Sequence, residues 1–334
     1  MRINRIRIEN FRSIQLLDLE LNDNTVLIGQ NNAGKTAILD AVRIALTRRW
    51  GQRGTGFTEY DIYLADENAD PKQSPGIAIE IRVEENEPGD WPDAVQQNLD
   101  NILQTDPISG RAFVILRATC AWNAATAAFE PAWLFLNAAR QPLIGQSARR
   151  LNLERFWAYL PVFYLGALRD ADDEFSTRSQ FWGRLLKAMQ IPADLEAETQ
   201  VVLDQLNQKL LAADARLAQI AQTLSGATRV ASRDRDGDVG LRLVPLKAWD
   251  LLSKAEIILR NEPDWPWLPL QRHGQGVQSL SVIFLFQAFV EHLLRELYEP
   301  ESVPVLALEE PETHLHPQAA RTLWTTSTRC PARN

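Results

Sequence analysis

Hydrophobic and polar residues trade places along this chain with two different periods, and the period changes where the architecture should change. Residues 2 to 9 and 14 to 21 alternate apolar and polar positions, marked by Ile3, Ile6 and Ile8 and then by Ile14, Leu16, Leu19 and Leu21. That is the pattern of two half-buried strands. Asn22-Asp23-Asn24 is turn chemistry, and the apolar run Thr25 to Ile28 predicts a short buried strand. From Thr36 to Thr47 the spacing becomes helical, with Ile38, Leu39, Val42 and Leu46 on one face. Between residues 76 and 137 the runs GIAIEIRV, RAFVILRATCAW and PAWLFLN predict an antiparallel meander, and Val162 to Leu165 a further strand. Leu206, Leu210, Ala213, Leu217, Ile220 and Leu224 then lie alternately 4 and 3 apart, as in a heptad seam. Such a seam packs on its own domain or forms a helical arm for dimerisation; the pattern allows both. A long helix is predicted from about Gln278 to Tyr298, with apolar residues on more than one face and therefore buried.

Composition narrows the class. With 334 residues, 45% of them apolar and 23% charged, the chain has ordinary globular composition and length enough for a large core. The opening MRINRIRIENF is not a signal peptide, and SVIFLFQAFV is only about half as long as a membrane span requires. A cytoplasmic protein with no membrane partner is expected. Cys120 and Cys330 are the only cysteines, which excludes a disulfide framework and a cysteine zinc site. A net charge of −8, from 35 basic and 43 acidic residues, gives no compositional support for nucleic-acid binding.

Three motifs carry chemistry. Gly29-Gln30-Asn31-Asn32-Ala33-Gly34-Lys35-Thr36 fits GxxxxGK[ST], between a predicted strand and a predicted helix. Glycines let backbone N–H groups wrap a phosphate, Lys35 brings a cation to the β and γ oxygens, and the Thr36 hydroxyl can ligate Mg²⁺. In Val303 to Pro311 an apolar strand ends in Glu309 and Glu310. There the first acid would serve as Mg²⁺ ligand and Glu310 as the base that activates water. Glu309 is one methylene longer than the usual Asp, so its metal contact can pass through water. Gly274-Gln275-Gly276-Val277-Gln278-Ser279 precedes the long helix, where free N–H groups and the positive dipole end attract anions. Asp234, Asp236 and Asp238 read as a solvated turn, because no EF-hand Glu follows at the required offset. His314 and His316 lack an evident third metal ligand.

The segments IENFRSI, GQNNAGKT, YLGALRDA, GQGVQSLS and LEEPETHLHP resemble, in that order, the ATPase half of the OLD-family nucleases, which are related to SMC and RecF type ABC ATPases. The resemblance implies ATP and Mg²⁺ as cofactors, Lys35 and Thr36 as Walker A, and Glu309 and Glu310 as Walker B. It further implies Gln275, Gly276, Gln278 and Ser279 as the signature that caps a partner's γ-phosphate, with His314 in the D-loop. A homodimer through an ATP sandwich or a helical arm, and action on DNA in phage defence or DNA damage processing, are implied as well. The family's Toprim nuclease half has no counterpart up to Asn334, so no nuclease activity is expected of this chain alone. No switch histidine follows His316, so slow turnover is expected. The Q-loop is not placed; Asp61 and Gln73 lie in a plausible stretch.

The expected fold is α/β, an ABC-type P-loop core with an antiparallel β lobe and an inserted helical arm. Its expected parts are residues 1–189 with Walker A and the lobe, 190–232 as the helical insertion, and 233–334 with signature, Walker B and D-loop. The leading expectation is an ATPase module of an OLD-like system. The alternatives are an ATP-binding interaction module with little turnover and, less favoured, the ATPase subunit of an ABC transporter.

Overall fold

A computed structural model describes residues 1–47, 56–66, 68–143, 149–166, 182–189, 191–217, 254–260 and 262–310, with positions 175, 179, 219–220, 247 and 250–251 between them. Two compact units emerge: Met1–Arg169 with Gln287–Asn334, and Asp170–Phe286.

The first unit is built on the alternating runs. β1 (Arg2–Phe11) and β2 (Ile14–Glu20) form a hairpin, and β3 (Ile77–Glu84), β4 (Gln104–Thr105), β5 (Ala112–Asn123) and β6 (Ala128–Leu136) extend it. All pairings in this six-stranded sheet are antiparallel, in the order β2-β1-β3-β5-β4, with β6 also on β5. The meander expected between residues 76 and 137 is therefore present. Register aligns like with like: Ile6 faces Ile81 and Ile81 faces Leu116, while Ile8 faces Ile79 and Ile79 faces Ala118. These side chains make one face of the sheet the core, a consequence of the two-residue period. α1 (Lys35–Thr47) lays Ala37, Ala41, Val42, Ala45 and Leu46 into that core, which α3 (Arg149–Tyr159) joins through Leu153 and Phe156. The short α2 (Asp93–Leu99) adds Val95 and Leu99. The indoles of Trp133 and Trp157 both donate to the Ala45 carbonyl, at 3.2 and 3.3 Å, which fixes the end of α1 against the sheet.

On the other face, arginines meet carboxylates. Arg5 and Arg7 hold Asp18 at 2.6 and 3.0 Å, Arg140 holds Glu80 at 2.9 Å, and Arg117 also pairs with Glu80.

β7 (Val162–Leu165) and β10 (Val305–Leu308) form a two-stranded parallel sheet. Phe163 of β7 packs edge-on against Phe289 and Tyr298, with ring centroids 5.4 and 6.2 Å away.

The second unit contains α4 (Trp182–Ala188), α5 (Ala193–Ala213) and the small hairpin of β8 (Ile258–Leu259) and β9 (Leu268–Pro269). α6 (Gln275–His292) begins in it, and α7 (Leu294–Leu297) follows α6 in sequence within the first unit.

Three expectations need correction. Thr25 to Ile28 is not a strand among the described residues, and Val26 and Ile28 are 61% and 92% exposed. An apolar run becomes a buried strand only with a ladder neighbour and covered faces, and neither lies beside it there. The heptad seam is not one helix: α5 ends at Asp214, which has φ −137° and ψ 111°. The Asp214 carboxylate accepts from the Arg216 N–H at 2.9 Å, a local turn that competes with helix. Finally, the long helix is interrupted at Leu293, with φ −125°, and is buried on one side only: Val282, Ile283, Phe286 and Phe289 are inside, Phe284 is exposed.

Candidate functional site

The glycine-rich loop runs straight into the N-terminus of α1, which begins at Lys35. Asn32 and Gly34 have φ of 65° and 88°, the left-handed region that turns successive N–H groups to one side. A side chain at Gly34 would also crowd Ser13, whose Oγ lies 3.2 Å from the position of an added Cβ. Lys35 folds back over the loop, donating from Nζ to the carbonyls of Gly29 at 2.6 Å and Gln30 at 2.9 Å. Thr36 is exposed on the first turn. An ammonium over a glycine-rich loop, on the positive end of a 13-residue helix, is an arrangement that favours an anion. No group of three or more His, Cys, Asp or Glu side chains that could hold a metal occurs among the described residues. Mg²⁺ bound with phosphate needs only one or two protein ligands, so Thr36 and one acid fit that role.

Below the loop sits an ion-pair hub. The β1–β2 turn is the dipeptide Arg12-Ser13, and Arg12 has φ 50°, uncommon for a residue with a side chain. Its N–H donates to the Asp61 carbonyl at 2.7 Å. Its guanidinium bridges Asp61 at 2.7 Å and Asp40 of α1 at 2.5 Å. Burial disfavours the Arg12 charge, yet its hydrogen bonds to Asp61 and Asp40 leave its pKa above the ordinary value. Asp61 is thus a buried ion-pair partner that also accepts from the Thr58 N–H and hydroxyl, while Gln73 is exposed in a 3₁₀ turn.

The acid pair arrives on β10. Leu308 pairs with Leu165, and the Glu309 N–H donates to the Leu165 carbonyl at 2.9 Å, which extends the ladder to the first acid. Glu309 is half-buried; Glu310 is exposed with φ 41°. Such backbone strain on a non-glycine residue tends to cluster at functional sites. The Tyr164 hydroxyl of β7 hydrogen-bonds to the Glu309 side chain; burial first, and that bond second, raise the phenol pKa. Over the Tyr164 ring, 5.4 Å from its centroid, stands the guanidinium of Arg43, which in turn pairs with Asp40 at 2.7 Å. Asp40 and Arg43 lie one and two turns beyond Lys35 on the same helix. Loop, helix and acid-bearing strand therefore belong to one unit and are joined through Asp40, Arg43 and Tyr164, of which Asp40 and Arg43 lie outside every motif. Asp40 lies opposite the stripe of Ile38, Leu39, Val42 and Leu46 that predicts the helix, so that pattern gives no signal for its burial.

The third motif lies in the second unit. Gly274 accepts from the N–H groups of Val277 and Gln278, opening α6. Gln275 is exposed and Gly276 half-buried, whereas Gln278 and Ser279 are buried. The Gln278 amide donates to the carbonyls of His273 at 2.7 Å and Gln271 at 3.2 Å. His314, the aspartates at 234 to 238 and the tail with its expected D-loop lie outside the described residues.

A family model described as "Protein of unknown function (DUF2813)" matches residues 1–334. An OLD nuclease of Thermus scotoductus is 26% identical over 332 residues, covering 96% of this chain and 54% of that protein. The chain thus spans about half the length of this curated relative. Among solved structures, the SMC head domain with an extended coiled coil, bound to the C-terminal domain of ScpA, from Pyrococcus furiosus gives a TM-score of 0.45 at 10% identity, covering 97% of this chain and 85% of that one. Another, described under ATP-driven dimerization and DNA-stimulated activation of SMC ATPases, gives 0.24 at 16% identity over 39% of this chain and 68% of that one.

Proposed function

We propose that this chain, which belongs to the DUF2813 family, is the Mg-ATP-dependent ATPase module of an OLD-like system acting on DNA. The observation that carries the reading is the shared unit: Lys35 and Thr36 open α1, and the same helix reaches Glu309 through Asp40, Arg43 and Tyr164. Similarity to an OLD nuclease across 96% of the chain supports the system to which the module belongs. The nuclease step itself is not assigned to these residues.

Bound Mg²⁺ would supply a Lewis acid that neutralises developing phosphoryl charge. The chain's own work is positioning. Lys35 exchanges the Gly29 and Gln30 carbonyls for phosphate oxygens, a stronger, charge-assisted bond. Thr36 and Glu309 would hold the metal, and Glu310 would accept the proton of the attacking water. Gln275, Gly276, Gln278 and Ser279 are proposed to cap the nucleotide of a second copy, with His314 beside them. Since Gln278 and Ser279 are buried as described, closure in that scheme requires the start of α6 to rearrange.

Steady-state phosphate release, with and without duplex DNA, tests the proposal. The wild type should turn over ATP, and Glu310→Gln should be slower by about a hundredfold or more because it retains shape without a base. ATP should drive that variant into dimers by light scattering. Equal turnover in both proteins would remove Glu310 from the chemistry, and binding without any turnover would leave an ATP-dependent interaction module.

A further inference from the structure

We infer that Tyr164 is a positioning residue for Glu309, setting the affinity of the nucleotide site for its divalent cation. The inference rests on the ATPase reading above and deepens it. Glu309 stands where an aspartate is usual, and its extra methylene adds a rotatable bond between backbone and carboxylate. A carboxylate with that freedom samples many positions, and each lost rotamer opposes metal binding. The structure restrains both ends of this side chain. Its backbone is held by the hydrogen bond from the Glu309 N–H to the Leu165 carbonyl at 2.9 Å. Its carboxylate accepts the Tyr164 hydroxyl, from the residue just before Leu165 on the neighbouring strand.

Tyr164 is itself held. Its ring lies under the Arg43 guanidinium, 5.4 Å from the centroid, and Arg43 is fixed by Asp40. Asp40 is fixed in turn by Arg12 at 2.5 Å. A donor oriented this firmly acts on its acceptor as the partners of metal-bound ligands commonly do: it selects the orientation in which a lone pair remains for the cation. Placing the donor on β7 and the acceptor after β10 also makes metal affinity depend on the register of these two strands. The helix that carries Lys35 and Thr36 reaches the same tyrosine, so phosphate and metal contacts share a support.

The test compares wild type with Tyr164→Phe, which keeps the ring beneath Arg43 and deletes only the hydroxyl. Binding of ATPγS is measured by calorimetry over a Mg²⁺ series and in EDTA, at a temperature where melting curves show both proteins folded. The Mg²⁺ midpoint should rise about tenfold or more in the variant, while affinity in EDTA stays the same. A merely structural tyrosine would weaken both, or neither. In a Glu309→Gln background the same substitution should shift the midpoint far less, because the hydroxyl acts through the carboxylate. An unchanged midpoint in Tyr164→Phe, or an equal shift in the Glu309→Gln background, overturns the inference. If the wild type itself binds no nucleotide with Mg²⁺, the ATPase reading fails instead, and the two failures are distinguishable.

Discussion

At the scale of single residues, Arg12 shows how a cation can join parts of the chain that sequence distance separates. One guanidinium serves Asp40 on α1 and Asp61 from the segment before β3, and both carboxylates are nearly buried. Removing one member of such a cluster is costly because the charges left behind stay out of water. Arg12 is about one third exposed, so water can recover part of that loss. Arg12→Ala should therefore lower stability by about 3 kcal/mol at neutral pH, read from urea unfolding. A change below 0.5 kcal/mol would mean that solvent replaces the arginine without penalty. Lys35, Thr36, Glu309 and Glu310 were legible in the sequence because their motifs set residue type and spacing together. The pairings of Arg12, Asp40, Arg43 and Tyr164 were not, since Arg12 reaches across 28 positions to Asp40 and 49 to Asp61, and such contacts obey no local period.

Among the elements, the alternating strands and the first helix follow from pattern, and the exceptions are instructive. β1 and β2 appear where two-residue alternation put them, and β3, β5 and β6 where the apolar runs predicted a meander. Thr25 to Ile28 shows the limit, for an apolar run states a need for cover without saying what supplies it. The seam of α5 shows another. Its spacing continues past Asp214, but a side-chain turn ends the helix there. Within the helix, Asn207 is the buried residue, and Leu195, Val202, Leu206 and Leu210 form an exposed stripe one to two residues wide on the helical net. We propose that a second copy of the chain meets this stripe. Asp at Leu206 and Leu210 together should leave the melting curve nearly unchanged, since exposed substitutions cost within about 0.5 kcal/mol. It should nonetheless abolish any dimer seen without nucleotide by light scattering. A dimer that persists, or a large drop in stability, would place this stripe elsewhere than at an interface between copies.

For the molecule as a whole, the division into two units separates the nucleotide-loop and acid-strand residues from the third motif. The first unit holds Lys35, Thr36, Glu309 and Glu310, while Gln275 to Ser279 begin α6 in the second. Lys35, bonded to its own loop carbonyls, is the residue we propose as a phosphate ligand on α1. Calorimetric titration of Mg-ATP into wild type and Lys35→Ala tests it most directly. The wild type should show saturable one-to-one binding, weakened at least tenfold by the substitution, with the fold retained by circular dichroism. Equal affinity in the two proteins would contradict it.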